Sequence, residues 1–249
     1  MRYTYQGKIL QGKFVCRKNR FIAEVEVDGE VVLSHLKNTG RMRELLVKGA
    51  TCYIMEAKNK NRKTKYDFLS IDHEGRLINL DSQVPNKVIA DGFLNGDIDG
   101  WEEIDFLKRE VQVGSSRLDM VLEKCSDKLY VEVKGVDLML GKGRASFPDA
   151  PTTRGSKHLK ELAVLVEAGE KAMVIFCLHR DDAVDFRPNY KMDPEFFNNF
   201  YDALDKGVEA RAYTCKVGPD YIELDKEIKI LSRDQAIKEL EGEKNESSC

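Results

Sequence analysis

The sequence predicts an α+β protein with two domains, an N-terminal OB-like β-barrel and a C-terminal mixed α/β domain, followed by a charged tail. Its 249 residues fit one large domain or two small ones, and a content of 42% hydrophobic and 33% charged residues suffices for a buried core under a polar surface. Strand-like segments fill the first third of the chain, whereas strands and helices alternate after residue 109. The formal charge also changes sign between these two parts.

Residues 1–82 are predicted to form the barrel. Short runs of β-branched and aromatic residues mark five strands, which run over residues 8–16, 21–27, 31–33, 51–57 and 66–71. Asp28-Gly29 is a hairpin turn signal, and residues 41–46 predict one short helix. Five strands and one helix in about 80 residues are typical of the OB barrel.

Residues 83–225 are predicted to form the mixed α/β domain. The spacing of apolar residues predicts strands over 110–113, 117–122, 129–134, 171–178 and 208–216. It predicts helices over 86–93, 101–108, 154–168 and 194–206, with a polar loop over 135–153. Because residues 171–178 are almost entirely apolar, they predict a central strand buried on both faces. Residues 226–249 alternate Lys and Glu and predict a charged tail with one helix.

The charge is distributed unevenly. Residues 1–82 hold 16 Lys and Arg against 10 Asp and Glu, a formal charge of +6. Residues 83–225 hold 19 against 27, a formal charge of -8. A basic module beside an acidic one predicts that the first attracts a polyanion while the second supplies carboxylates for chemistry. Ordinary variation of surface charge is the alternative explanation.

The composition also indicates the cellular compartment of the protein. No apolar run approaches the ~18 residues of a membrane span, and the first residues lack the apolar core of a signal peptide. The six cysteines are scattered without a CxxC pair, which argues against a disulfide framework or a zinc site. We therefore expect a cytoplasmic protein without a membrane partner.

The predicted hairpin over 117–134 brings carboxylates together. Side chains alternate along a strand, so Glu132 and Lys134 share a face, and a turn near Ser126 places Asp119 beside Glu132. Adjacent buried carboxylates are costly unless a cation lies between them. Their hard oxygen atoms suit Mg²⁺ or Mn²⁺, with Glu110 as a further carboxylate.

This arrangement predicts a metal-dependent nuclease centre. Its catalytic residues would be Asp119, Glu132 and Lys134, and its metal ligands Asp119, Glu132 and Glu110. The cation would activate water and stabilise charge on a phosphodiester, while Lys134 would orient the attacking water. The pattern Glu-x-Lys alone is weak, and a solvated hairpin face with a Lys–Glu pair is the alternative.

Three basic segments are candidate nucleic-acid contacts. Each also has a plainer interpretation, as a solvated helix face, a mobile loop or the start of a helix. The first lies on the helix over 154–168, where spacings of three and four put its side chains on one face beside the helix N-terminus. The second is a loop between two strands of the barrel, near aromatic side chains that could stack on bases. The third is an Asn-Thr-Gly turn. The helix segment contains Arg154, Lys157 and His158, the barrel loop contains Lys60, Arg62, Lys63 and Lys65, and the turn contains Asn38 and Arg41.

Four motifs, in order along residues 1–225, resemble the sugar fermentation stimulation protein family. Asn-Thr-Gly-Arg-Met is at 38–42, and Glu-Val-x-x-Gly-x-Ser-Arg-x-Asp is similar to 110–119. Glu-Val-Lys is at 132–134. The long stretch Phe-Pro-Asp-Ala-x-Thr-x-Arg-Gly-x-Lys-His-Leu-x-Glu-Leu is at 147–162. Lys37 departs from the family pattern, which usually has Pro before the Asn.

The resemblance implies an OB-like first domain and a restriction-endonuclease-like second domain. It also implies nucleic-acid binding, with DNA as the expected partner. It does not establish a reaction, so whether the protein is an enzyme stays open. A metal-dependent nuclease is one hypothesis, and a non-catalytic DNA-binding regulator of sugar metabolism genes is the alternative. The oligomeric state is also open, with a homodimer as one option.

Overall fold

A computed structural model of the chain describes residues 2–59, 61–114, 116–141 and 143–246. The first strand, β1 (Arg2–Thr4), belongs to the second domain. The barrel strands follow as β2 (Ile9–Asn19), β3 (Ile22–Val27), β4 (Glu30–His35), β5 (Thr51–Glu56), β6 (Tyr66–His73) and β7 (Arg76–Asn79).

The first domain is a closed five-stranded barrel. Its strand order is β4-β3-β2-β5-β6, and a parallel pairing of β4 with β6 closes it, while β7 adds to β6 as a hairpin. Alternation points one side of each strand inward, so that Phe14, Val25, Ile54 and Phe68 fill the interior. The predicted OB-like domain is confirmed.

The predicted helix over 41–46 is wrong. This segment forms turns, and Met42 has a positive φ of 45°, which is incompatible with a continuing helix. Met42 and Leu45 are buried in the barrel core, so the apolar spacing that suggested a helix reflects a packed turn.

The second domain is a mixed nine-stranded sheet with helices on both faces. Its order is β11-β13-β15-β14-β12-β10-β9-β8, with β1 paired to β15. The helices are α1 (Pro85–Leu94), α2 (Thr153–Glu167), α3 (Pro194–Asp205) and α4 (Arg233–Glu246). The strands are β8 (Phe106–Val113), β9 (Ser116–Lys124), β10 (Asp127–Val136), β11 (Arg144–Phe147), β12 (Lys171–Leu178), β13 (Asp185–Pro188), β14 (Glu209–Val217) and β15 (Tyr221–Ile230).

Two cores sandwich this sheet. Val174 and Phe176 of β12 face α2, α3 and α4, whereas Met173 and Ile175 face α1. The strand is therefore buried on both faces in the middle of the sheet, as its apolar sequence predicts. The predicted mixed α/β domain is confirmed.

Three predicted segments differ. The helix expected over 101–108 does not form: residues 101–105 are irregular, and 106–108 begin β8, which pairs with β9 in an antiparallel ladder. The loop expected over 135–153 contains β11, which pairs with β13. The tail expected over 226–249 contains half of β15, so the sheet continues where a free tail was predicted.

The predicted division into 1–82, 83–225 and 226–249 also needs correction. Residues 2–4 pair with 221–223 of β15, so the first strand of the chain belongs to the second sheet. Helix α4 buries Ala236 and Leu240 in the second core. The second domain therefore takes segments from both sides of the barrel. No helix within the described residues is long and apolar enough to span a bilayer.

Candidate functional site

The candidate site lies where the β9–β10 hairpin opens. The ladder runs from Asp127↔Lys124 to Val131↔Met120 and stops there. The next position on each strand would set Asp119 beside Glu132, the register that alternation predicts. At this point Val133 N donates to Asp119 Oδ2 at 2.8 Å. The Asp119 carboxylate thus accepts a backbone N–H at the point where the described strand pairs end.

Asp119 is held from two directions. Besides Val133 N, the Asn86 amide of α1 donates to Asp119 Oδ1 at 2.6 Å. Burial and the nearby charge of Glu132 raise the pKa of Asp119, and the two hydrogen bonds only partly oppose this. The carboxylate is therefore fixed in place beside a second negative charge.

Glu132 is buried, with 4% of its surface exposed. Its Oε1 accepts from Lys134 Nζ at 2.5 Å and from His158 Nδ1 of α2. Burial alone would raise the pKa of Glu132, but these bonds and charges outweigh it and lower the pKa. The second oxygen, Oε2, is buried and has no hydrogen-bond partner among the described residues.

Helix α2 fixes the histidine. Thr152 caps it, with its side chain accepting from Gly155 N at 3.0 Å. Arg154 Nε lies 3.4 Å from His158 Nε2, at the i,i+4 spacing of one helix face. If Arg154 donates to Nε2, then Nδ1 carries the proton and donates to Glu132. We assign this tautomer from the hydrogen-bond network.

The donors present fit a divalent cation only in part. Asp119 and Glu132 offer adjacent hard oxygens, and the free Glu132 Oε2 is the kind of buried atom that a cation satisfies. Across the described ranges, however, no three His, Cys, Asp or Glu side chains converge closely enough to hold a metal. The remaining ligands would have to be water, backbone or substrate oxygens.

Glu110 does not join this cluster. It has a positive φ of 56°, and its exposed carboxylate lies 3.6 Å from Arg117 on β9. The strand irregularity turns the side chain toward solvent. The predicted third carboxylate is thus placed in a surface ion pair, and its role as a ligand stays a prediction.

A basic depression adjoins the site. Arg117, Arg154 and Lys157 line it together with Ser116 and His158. Arg154 and Lys157 are exposed, and Lys157 Nζ lies 3.8 Å from Glu161 Oε1. His158 connects this depression to the carboxylates, because it lines the depression and contacts Glu132.

The basic loop of the barrel lies apart from this cluster. Lys63 and Lys65 are exposed, whereas Arg62 donates to the buried Asp67 at 2.8 Å. Arg62 is thus already engaged in the barrel, which differs from its predicted role as a free phosphate contact. The remaining predicted residue, Lys60, lies outside the described residues.

The Asn-Thr-Gly turn joins the two domains. Asn38 is buried and donates to Asp137 Oδ2 at 2.7 Å, while Arg41 N donates to Asp149 Oδ2 at 3.1 Å. Arg17 donates to the backbone carbonyl of Asn38 at 2.9 Å. Asn38 therefore has an interdomain partner, and the Arg41 side chain remains exposed.

Sequence reasoning missed Asn86, Arg17 and the Asp137–His179 pair. Their roles depend on residues far away along the chain, and no local spacing marks them. Asp149, which accepts a hydrogen bond from Arg41 N, was also missed. It lies inside the motif at 147–162, and that position is the sequence signal that could have marked it.

Comparison with known proteins identifies the family. The sugar fermentation stimulation protein RE domain matches residues 83–221, and the SfsA N-terminal OB domain matches residues 15–80. The chain belongs to the sugar fermentation stimulation protein family. The resemblance inferred from the four motifs is confirmed.

Other members of the SfsA family match along most of their length. The homolog from Alkaliphilus metalliredigens is 42% identical over 93% of this chain and 100% of its own. The homolog from Caldanaerobacter subterraneus is 44% identical over 91% of this chain and 98% of its own. A solved structure of Pyrococcus furiosus SfsA in complex with Ca²⁺ is similar, with a TM-score of 0.85 and 28% identity, covering 93% of this chain and 99% of that one.

Proposed function

We propose that this protein binds DNA and hydrolyses its phosphodiester bonds at a centre that needs a divalent cation. The observation that carries the proposal is the Asp119–Glu132 pair, with Glu132 Oε2 buried and unpartnered among the described residues. A cation is the natural counter-charge for two adjacent carboxylates. The Ca²⁺ held by the similar Pyrococcus furiosus protein supports a divalent ion here, and we propose Mg²⁺ or Mn²⁺.

Asp119 and Glu132 would hold this cation, which when bound supplies activation of water and stabilisation of phosphate charge. The remaining residues act on the two carboxylates. Asn86 and the Val133 N–H fix Asp119, and His158 fixes Glu132. Such supporting bonds set the orientation of ligand oxygens before a cation arrives.

Lys134 is the proposed positioning group for the attacking water. Its side chain is only 12% exposed, and its ammonium already contacts Glu132 Oε1. An ammonium has no lone pair to offer a cation, so its contribution is electrostatic. It would orient the water and offset negative charge that develops on the phosphate.

Nucleic-acid binding would use basic side chains from both domains. Arg154, Lys157 and Arg117 line the depression beside the site, and Lys63 and Lys65 are exposed on the barrel. Contacts of this kind to phosphates give affinity without reading sequence.

The test compares wild type with Lys134→Ala in a cleavage assay. Labelled single- and double-stranded DNA and RNA are incubated with Mg²⁺, Mn²⁺ or EDTA. Removal of one group that acts in the transition state should lower the cleavage rate ~10²–10³-fold, while DNA affinity changes little. Lys128→Ala is the matched control, because Lys128 lies on the same strand and is 49% exposed.

Each outcome decides the proposal. Cleavage that requires a cation and fails in Lys134→Ala but not in Lys128→Ala supports it. Equal cleavage by both variants would assign the activity to another site or to a contaminant. DNA binding without cleavage by the wild type would favour the non-catalytic regulator.

A further inference from the structure

A groove of about 1120 Å³ lies between α4 and the strands β11, β13 and β15. It shares no lining residue with the candidate nuclease site. Ligand pockets of this order, ~300–1,000 Å³, hold small molecules. The groove is also highly charged, which restricts the chemistry of an occupant.

One face of α4 forms a wall of the groove. Lys238, Glu239, Gly242 and Glu243 line it, at spacings that place them on one side of a helix. An adjacent face of α4 carries Ala236 and Leu240, the apolar side chains that join the core shared with α2 and α3. Core packing therefore holds the charged face of α4 over the groove.

The strands supply two groups of ion-paired side chains, and in the second group the hydrogen bonds of the arginine are incomplete. In the first, Arg144 forms a two-pronged contact with Asp185 at 2.7 and 2.8 Å and reaches Glu239 at 2.9 Å. In the second, Arg187 is 1% exposed and donates through Nη2 to Glu243. The other oxygen of Glu243 is engaged by Lys191 at 2.9 Å.

Two donors of Arg187 are left over. Its Nε and Nη1 are buried and have no hydrogen-bond partner among the described residues. Buried unsatisfied donors are costly, and each one in a native structure needs a reason such as an ion or ligand. The Glu243 carboxylate satisfies only one donor of the guanidinium, so an oxyanion with more acceptor oxygens would suit Arg187 better.

The lining also carries unbalanced positive charge. Arg144, Arg187 and Lys191 are matched by acidic partners, but Lys229 and Lys238 are exposed and have no ion-pair partner among the side chains described. These two ammonium groups could meet further negative charge on an occupant of the groove.

We propose that this groove binds a small phosphate-bearing ligand. Its phosphate takes the place of Glu243 on Arg187, and Lys229 and Lys238 meet its remaining charge. A phosphate brings at least three acceptor oxygens, whereas a carboxylate brings the two that Glu243 already offers. Arg187 is too deeply buried for a phosphate inside a duplex backbone to reach, which favours a small molecule. This site is independent of the proposed nuclease centre.

Isothermal titration calorimetry with pyrophosphate as the probe, in EDTA at fixed ionic strength, tests the site. The wild type should show saturable binding, and Lys229→Ala/Lys238→Ala should weaken it ~10-fold or more. Glu243→Gln should bind more tightly, because an uncharged amide competes less for Arg187. Lys226→Ala, a change at an exposed residue of the same strand outside the groove, should leave affinity unchanged.

Arg187→Lys keeps the charge but removes the planar fork, and it should abolish most of the binding. Arg187 is buried, so this variant could misfold. The double variant Lys229→Ala/Lys238→Ala, which changes exposed residues, therefore decides the proposal. Glu132→Gln should bind pyrophosphate as the wild type does, which separates the groove from the nuclease centre.

Three results would overturn the proposal. The first is no binding by either wild type or Glu243→Gln. The second is equal affinity in wild type and Lys229→Ala/Lys238→Ala, which places the binding elsewhere. The third is displacement of pyrophosphate by a short single-stranded oligonucleotide whose own affinity falls in the same variants, which makes the groove a nucleic-acid contact.

Discussion

The two oxygens of Glu132 have different surroundings. Oε1 accepts from both His158 and Lys134, whereas Oε2 is buried without a partner among the described residues. One oxygen is therefore anchored while the other is free to bind. A carboxylate held in this way is preorganised as a ligand, since its rotamer need not change on binding.

Asp119→Asn and Glu132→Gln should each abolish stabilisation by Mn²⁺. A ligand that binds only the folded state adds ~2.7 kcal/mol at 100 times its Kd. For a chain of this size that corresponds to a rise in Tm of roughly 5–10 °C. Each variant removes one charged ligand, so the rise should disappear. Differential scanning calorimetry with and without Mn²⁺ measures this.

Glu110→Gln is the matched control for this prediction. Because Glu110 is exposed and paired with Arg117, its variant should keep the full rise in Tm. Loss of the rise in Glu110→Gln would show that Glu110 moves to the site when metal binds. An undiminished rise in both Asp119→Asn and Glu132→Gln would rule out the site.

Alternation along two strands was enough to predict Asp119 beside Glu132, because a hairpin is local. It could not predict that His158, 26 residues further on, contacts Glu132, nor that Asn86 contacts Asp119 from 33 residues away. Those contacts depend on how α1 and α2 pack on the sheet. Glu110 is predicted as a ligand only because it is a further carboxylate near the hairpin in the sequence, and its positive φ of 56° and its ion pair with Arg117 carry no sequence signal.

At the scale of elements, the basic loop between β5 and β6 has an arginine that contacts the barrel and lysines that are exposed. Arg62 turns inward to the buried Asp67, whose other oxygen lies 3.5 Å from Lys37 Nζ, so Asp67 has two cationic partners. Lys63 and Lys65 point into solvent. The loop is thus tied to the barrel through Arg62 and presents Lys63 and Lys65 outward.

Replacing Lys60, Lys63 and Lys65 together with Ala, with Arg62 retained, should weaken DNA binding to all sequences alike. For every lysine that touches a phosphate, its removal should reduce the slope of log affinity against log salt by ~0.9 for duplex or ~0.7 for single strands. Fluorescence anisotropy over a salt series measures the slope.

The control removes equal charge elsewhere on the barrel, by Lys8→Ala, Lys18→Ala and Lys48→Ala. These lysines are exposed, and two of them pair with Glu56 and Glu24. The slope should change little in this triple variant. A slope that falls equally in both triple variants would mean that general barrel charge, not the loop, attracts DNA.

Elements whose sequence carries a strong local signal were predicted well. Strand β12 is apolar after its first residue, Lys171, and α2 has both a regular apolar face and a Thr cap. Strand β8 was mistaken for a helix over part of its length, because five of its eight residues are exposed and it shows little apolar alternation. Its pairing with β9 decides its conformation, and that pairing is tertiary information.

At the scale of the whole molecule, Asp137 connects the two domains. One oxygen accepts from Asn38 of the barrel, and the other lies 2.5 Å from Nδ1 of the fully buried His179. Burial alone would lower the pKa of His179, but the charge of Asp137 outweighs it and raises the pKa to about 9 from the ordinary 6.5. The domain junction therefore contains a buried ion pair.

The stability of the fold should fall as the pH rises through about 9. A histidine with a raised pKa in the folded state stabilises it fully below the unfolded value and loses that contribution as pH rises through the folded value. Asp137→Asn should lower Tm by several degrees at pH 6 and by little above pH 9.5. Thermal unfolding between these pH values measures the difference.

Asp220→Asn makes the same change of charge at an exposed turn. Its Tm should follow that of the wild type across the whole range. A gap between wild type and Asp137→Asn that stays constant with pH would show that His179 does not titrate in this window.

Strand β1 pairs with β15, so a segment that is synthesised early and one that is synthesised late meet in one sheet. At ~5–20 residues per second on the ribosome, roughly 10–40 s pass between the emergence of residues 2–4 and that of residues 221–223. The barrel, whose strands lie within residues 9–79, can fold during that interval. The larger sheet closes only when the last strand has emerged. A nascent chain would thus have its barrel assembled well before the sheet that carries the carboxylates is complete.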